Sequence, residues 1–139
     1  MNFRVFAQAE APRLQLAAWQ RNAERFFEST FEIERSTATS ARVVVAGAPR
    51  TVTARARDEA DLRDALADEA ARSNGLYDLA ERRCRVVYVV ERQSDEDRAA
   101  LLLAATIASA ALGPILGEGE LFGVRTAREK LEALGTPYR

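Results

Sequence analysis

The carboxylates most able to share acid–base work or to hold a divalent cation are the pair Glu32 and Glu34 and the run Asp95-Glu96-Asp97. Glu32 and Glu34 alternate with Phe31 and Ile33, which places both on the solvent face of a strand whose other face is apolar. The second group follows Ser94 and precedes a long apolar stretch. Helix capping and the positive end of the helix dipole account for it. Cys84 lies among Arg82, Arg83 and Arg85, and neighbouring cations favour a thiolate. The chain has no histidine to act as its base, and a cysteine that opens an apolar strand reads as a small core residue. The segment GEGELFG, residues 117–123, has the glycines of a phosphate loop. It follows a helix where such a loop follows a strand, and Glu118 and Glu120 would repel phosphate.

Basic candidates come from two places. Arg82, Arg83 and Arg85 crowd one short segment, and Arg55 and Arg57 share a face of a strand. A nucleic-acid surface pairs such charge with stacking aromatics, and only Tyr77 and Tyr88 lie near in sequence. Solvated charge is the simpler reading, and nucleic acid is not the expected partner. No catalytic, metal or cofactor-binding residue is assigned on this basis, and no cofactor is implied.

Composition narrows the classes further. A single cysteine rules out an intramolecular disulfide and a cysteine-based zinc site. With 20 basic and 21 acidic residues the net charge is −1, so a polyanion could bind only through a local patch. Of the 20 basic residues only Lys130 is lysine; with the abundant alanine this reads as a GC-rich, bacterial-like coding bias rather than as a functional choice. The first residues lack the basic-then-apolar pattern of a secretory leader, so a cytoplasmic location is expected.

These side chains need elements to position them. A chain of 139 residues, 47% hydrophobic and 29% charged, suits one globular domain over residues 1–139 with one real core. Period-two alternation marks a strand from Phe3 that ends near Ala9, and Pro12 opens an amphipathic helix carrying Leu16, Trp19, Ala23, Phe26 and Phe27. Phe31 and Ile33 begin a strand. The segment RVVVAGAPRTVTARA makes a hairpin around Gly47 and Pro49, with Glu32 and Glu34 available to Arg55 and Arg57 if their strands are neighbours. Asp58 and Asp61 start one helix that runs to Asn74 and Gly75. A connection through Leu76, Tyr77 and Leu79 leads to CRVVYVVER, apolar on both faces and therefore a central strand. Ser94 caps the next helix, and Thr126 to Leu134 form the last, stopped by Gly135 and Pro137. The order β-α-β-β-β-α-β-α-α implies an α+β (or α/β) domain with a mixed sheet of about five strands and helices on both faces.

The stretch AALLLAATIASAALGPILG, Ala99–Gly117, has no charge. Gly113 and Pro114 shorten it below what a membrane span needs, so no span is expected. A helix apolar on all sides is buried on all sides. Its outer face meets either the last helix or another chain, and Ala100, Ala104, Ala108 and Ala111 are spaced for close helix approach. Those alanines, with Phe6 on the polar-alternating side of its strand, are the interface candidates. The expected role is a non-enzymatic protein-interaction, adaptor, immunity-type or assembly subunit whose partner is another protein chain, a second copy (homo-oligomer) or a different protein. The alternative is a small carboxylate-dependent enzyme or ligand-binding domain using Glu32, Glu34 or Glu91. The third is a nucleic-acid-binding module through Arg55, Arg57, Arg82, Arg83 and Arg85.

Overall fold

The computed structural model describes residues 2–135 and shows an α+β fold on one sheet of seven strands in the order β2-β3-β4-β5-β1-β6-β7. The strands are β1 (Phe3–Ala7), β2 (Phe31–Ser36), β3 (Ser40–Val45), β4 (Ala48–Ala56), β5 (Val86–Val90), β6 (Ile115–Gly117) and β7 (Glu120–Phe122). The helices are α1 (Leu16–Phe27), α2 (Glu59–Ala65), α3 (Glu69–Ser73), α4 (Leu76–Arg83), α5 (Arg98–Ala111) and α6 (Val124–Ala133). Pro137, expected to stop the last helix, lies outside the described residues; Gly135, with φ 70, does follow it.

Every hydrogen-bonded pair of strands is antiparallel, which corrects the mixed sheet expected from the crossovers. The crossovers are real. Alternation of direction along the sheet makes β5 and β6 run the same way, as do β1 and β2, but antiparallel strands fill each gap: β1 itself sits between β5 and β6. The connection from β4 to β5 corrects a second expectation. One long helix after Asp58 would carry the chain to the far end of the sheet. Three short helices bring it back, so that Ala56 pairs with Val86 and the Arg57 N–H donates to the Arg85 carbonyl. The breaks have local causes. Asp68 caps α3 through Ala70 N while its other oxygen accepts from Leu121 N of β7, and Gly75, at φ 85, turns the chain into α4.

Two further strands, β6 and β7, follow Gly113-Pro114, where the sequence pattern marks no full strand. Glu118 and Gly119 both have positive φ, as a two-residue hairpin turn requires, and they join β6 to β7; Ala46 and Gly47 do the same for β3 and β4. Helix α1 begins at Leu16 rather than Pro12, because the Leu14 N–H is engaged by the Ala38 carbonyl and holds the preceding segment against the β2–β3 turn.

Side chains from the two faces of the sheet form separate cores. On the first face Val5, Val43, Val52, Val86, Tyr88 and Val90 pack against α1, α5 and α6. Trp19 meets Tyr88 edge to face at 5.0 Å between centroids, and the Tyr88 hydroxyl donates to the Arg13 carbonyl. On the second face Phe6, Val87, Leu116 and Leu121 pack against Ala65, Ala71, Ala80 and Cys84 of the α2–α4 layer. That layer covers only part of the sheet. The second face of β2, β3 and β4 stays open to water, and Glu34 there pairs with Arg42 of β3 at 3.4 Å, not with Arg55 or Arg57, because β2 and β4 are not neighbours.

Helix α5 is fixed at its start by Asp97, not Ser94. One Asp97 oxygen accepts from Ala100 N and Arg50 Nη2, and the other from Arg50 Nε and Gln93 N, all between 2.8 and 3.0 Å. Arg50 comes from β4 and is itself buried. Burial pushes the Asp97 carboxyl up, and these hydrogen bonds more than reverse it, holding it below the usual carboxylate range. At its other end α5 stops at Gly113, where an added Cβ would lie 1.8 Å from the Phe6 carbonyl oxygen.

Removing one partner of a buried ion pair leaves the other charged and unpaired, at a cost of about 3–5 kcal/mol. Asp97→Ala is therefore expected to lower stability by about that amount in urea unfolding. The double variant Arg50→Met/Asp97→Ala should be more stable than Asp97→Ala alone. Equal losses in the two would contradict this role for the pair.

Candidate functional site: an apolar groove at the end of helix α5

The interface expected along the apolar run is mostly core. Ala100, Ala104 and Ala108 are buried within this chain, as is Phe6, whose partners are the α4 layer and Leu116. None of these four residues is an exposed contact surface, which corrects their assignment. Ala111 is half-buried. The cover of α5 is intramolecular: the sheet lies beneath it, and α1 and α6 pack against it. Its polar residues are satisfied locally, with Thr106 donating to the Leu102 carbonyl and Asn22 of α1 donating to Ser109 Oγ.

Burial ends at the C-terminal end of the run. Leu112 is 64% exposed and sits in the left-handed region, at φ 57 and ψ 42, where it caps α5 through its N–H to the Ala108 carbonyl. Glycine is the usual residue there, because a Cβ is disfavoured in this conformation. Leu112 borders an open groove of about 430 Å³ shared with Phe26, Leu76, Leu79, Pro114 and Val124. These residues come from α1, α4, the α5–β6 turn and α6, so the groove runs around the end of the sheet from one helical layer to the other. Phe26 is 43% exposed. Arg128 stands at the edge, donating to the Phe26 carbonyl with its guanidinium over Phe27. Of the interface candidates only Ala108 lines this groove, and it is buried there; Phe26, Leu76, Leu79 and Leu112 are not among them. The helical period of α1 places Phe26 on its core face and the segment of α4 reads as a connection; a leucine directly before Gly-Pro is the available signal.

The five basic candidates do not act as one free patch. Arg55 is tied to Asp61 by two bonds of 2.7 Å, and Arg57 Nη1 donates to the carbonyls of Ala80, Glu81 and Cys84 at the end of α4. Arg82, Arg83 and Arg85 are exposed around that same helix end. Tyr88, one of the two nearby aromatics, is buried and offers no stacking surface. Burial also raises the Cys84 thiol to about 11, with Arg57 opposing only weakly, so this thiol stays protonated and packs as an apolar group. Glu34 lies on β2 and Glu91 just after the end of β5, three strand spacings away, about 14 Å, with Arg42 and Thr51 between them and Glu91 accepting from Thr51 N.

A charged cluster lies on the second face. Asp61 is fully buried and accepts from Arg55 Nη1 and Nη2, Arg4 Nη1 and the Asp58 N–H, completing the capping box of α2. Burial raises its carboxyl, but the bonds from Arg55, Asp58 and Arg4 outweigh that and lower it to about 2. Among the described residues no group of three or more candidate ligands could hold a metal ion, and no helix is long and apolar enough to cross a membrane. Compared with known proteins, the chain matches no family model, no curated protein and no solved structure.

Because the folded Asp61 carboxyl lies below its unfolded value, its stabilisation is complete above about pH 4 and is lost as pH falls toward 2, on the order of 2 kcal/mol. Urea unfolding followed from pH 5 to pH 2 should show this loss. Asp61→Asn should be less stable at neutral pH and should flatten the slope in that window; an unchanged slope would contradict the assignment.

Proposed function

We propose that the protein is a non-enzymatic interaction subunit that receives apolar side chains of another protein chain in the groove formed by Phe26, Leu76, Leu79, Leu112 and Val124. The observation that carries this reading is Leu112. A non-glycine residue in the left-handed region costs on the order of 1 kcal/mol or more, and here it leaves a large apolar side chain 64% exposed to water. Such a conformation, kept at a groove with an adjoining exposed phenylalanine, fits a contact completed by a partner. Aromatic anchors seated in apolar grooves supply much of the energy of protein interfaces. The two exposed edges of the sheet fit this role less well. Strand β2 is charged and carries a register shift between Ile33 and Arg35, which discourages edge pairing, and β7 is short and held by Asp68.

The variant Leu112→Gly separates folding from binding. It relieves the backbone and removes the side chain, so stability is expected to hold or rise by up to about 1 kcal/mol while association is lost. Sedimentation of the purified protein, together with affinity capture from its native source, should show for the wild type either a second copy or a specific protein that Leu112→Gly fails to retain. A strictly monomeric wild type with the same captured proteins as Leu112→Gly would overturn the reading.

A further inference from the structure

On the second face of the sheet, between α2 and the β6–β7 hairpin, a cleft of about 620 Å³ opens over Val89 and Leu116. Four arginines line it: Arg4 from β1, Arg55 from β4, Arg63 from α2 and Arg92 beyond the end of β5. Against them stand the carboxylates Asp64 and Glu118 and, directly behind Arg4 and Arg55, the buried Asp61, so the wall keeps a net charge of only +1. Arg4 and Arg55 are held in place by Asp61, with Arg4 Nη2 also on Asp64 at 2.7 Å. They form a fixed positive wall.

The other two arginines have donors to spare. The Arg63 side chain is exposed and makes no hydrogen bond or ion pair with a described residue. The Arg92 side chain is only 3% exposed; its Nη2 donates to Glu118 Oε1 and the Asp95 carbonyl, and its guanidinium lies 4.5 Å over the Phe3 ring. Arg92 Nε is buried without a partner. An unmade hydrogen bond at a buried charged group is costly, and natural structures keep few of them. Glu118, which faces Arg92, and Asp64, which faces Arg4, have side chains about half exposed, at 56% and 49%, and can turn into water when another anion takes their place.

We propose that this cleft binds a small organic phosphate monoester, its phosphoryl oxygens on Arg63 and Arg92 and its organic part over Val89 and Leu116. A phosphate monoester carries roughly −1.5 to −2 charges at pH 7 and three acceptor oxygens, which suits the spare donors of two guanidinium forks that approach from different elements. A single carboxylate is a poorer match, since it brings one charge and the cleft already contains two such groups. The volume falls in the range of small-molecule sites. This site lies apart from the apolar groove, so either can fail without the other.

Titration calorimetry with ribose 5-phosphate, inorganic phosphate, ribose and succinate tests the proposal. Ribose 5-phosphate is expected to bind more tightly than inorganic phosphate, with ribose silent, succinate weaker and affinity falling as salt rises. Arg63→Ala, an exposed position that leaves folding intact, should weaken binding by about tenfold, and Asp64→Asn should strengthen it severalfold. Absence of binding by both phosphates, an Arg63→Ala affinity equal to wild type, or succinate binding as tightly as ribose 5-phosphate would overturn it.

Discussion

Helix α5 has no polar face, and a helix apolar on every side is stable in water only when the rest of the chain surrounds it. The sheet takes one side of it. Helices α1 and α6, which have clear amphipathic faces of their own, bring Trp19, Ala23, Phe27, Ala127 and Leu131 into the same core. The alanines matter here because they let neighbouring elements approach closely. Residues 99–108 are consequently all buried, and the one threonine among them is satisfied by the helix's own backbone.

Both ends of α5 are set by contacts distant in sequence. At the N-terminal end, Arg50 of β4 brings the sheet to the helix through Asp97, so the first turn and the middle of the sheet are held together. At the C-terminal end, Gly113 lets the chain pass against the backbone of Phe6, and the Phe6 N–H donates to the Pro114 carbonyl. Strand β6 then enters beside β1. Leu112 lies between the tightly packed helix and this close crossing, and that position exposes it at the groove.

The features legible in the sequence were those with local causes. The double apolarity of Val86–Val90 marked the central strand, the period of Trp19, Ala23 and Phe27 marked a helix face, and Asp58 with Asp61 marked a helix start. What escaped depended on distant pairs. Asp97 rather than Ser94 caps α5 because Arg50, 47 positions away, binds it. Strand direction depended on whether β1 would lie between β5 and β6, which no local pattern states. The arginine cleft joins Arg4 to Asp64 across 60 positions; its sequence trace was only that Arg4 shares a strand face with Phe6. Phe6 has no partner visible in the sequence because its core is built from Ala65, Ala71 and Ala80 of the short helices α2–α4, whose breaks depend on Asp68 and Gly75.

Native-state hydrogen exchange tests most directly whether the enclosed α5 is what holds the fold together. Amides of residues 101–108 should exchange only through global unfolding, at the same free energy as those of β5, while the charged edge strand β2 exchanges through smaller openings. Exchange in α5 by local opening, at a free energy below that of β2, would contradict the account.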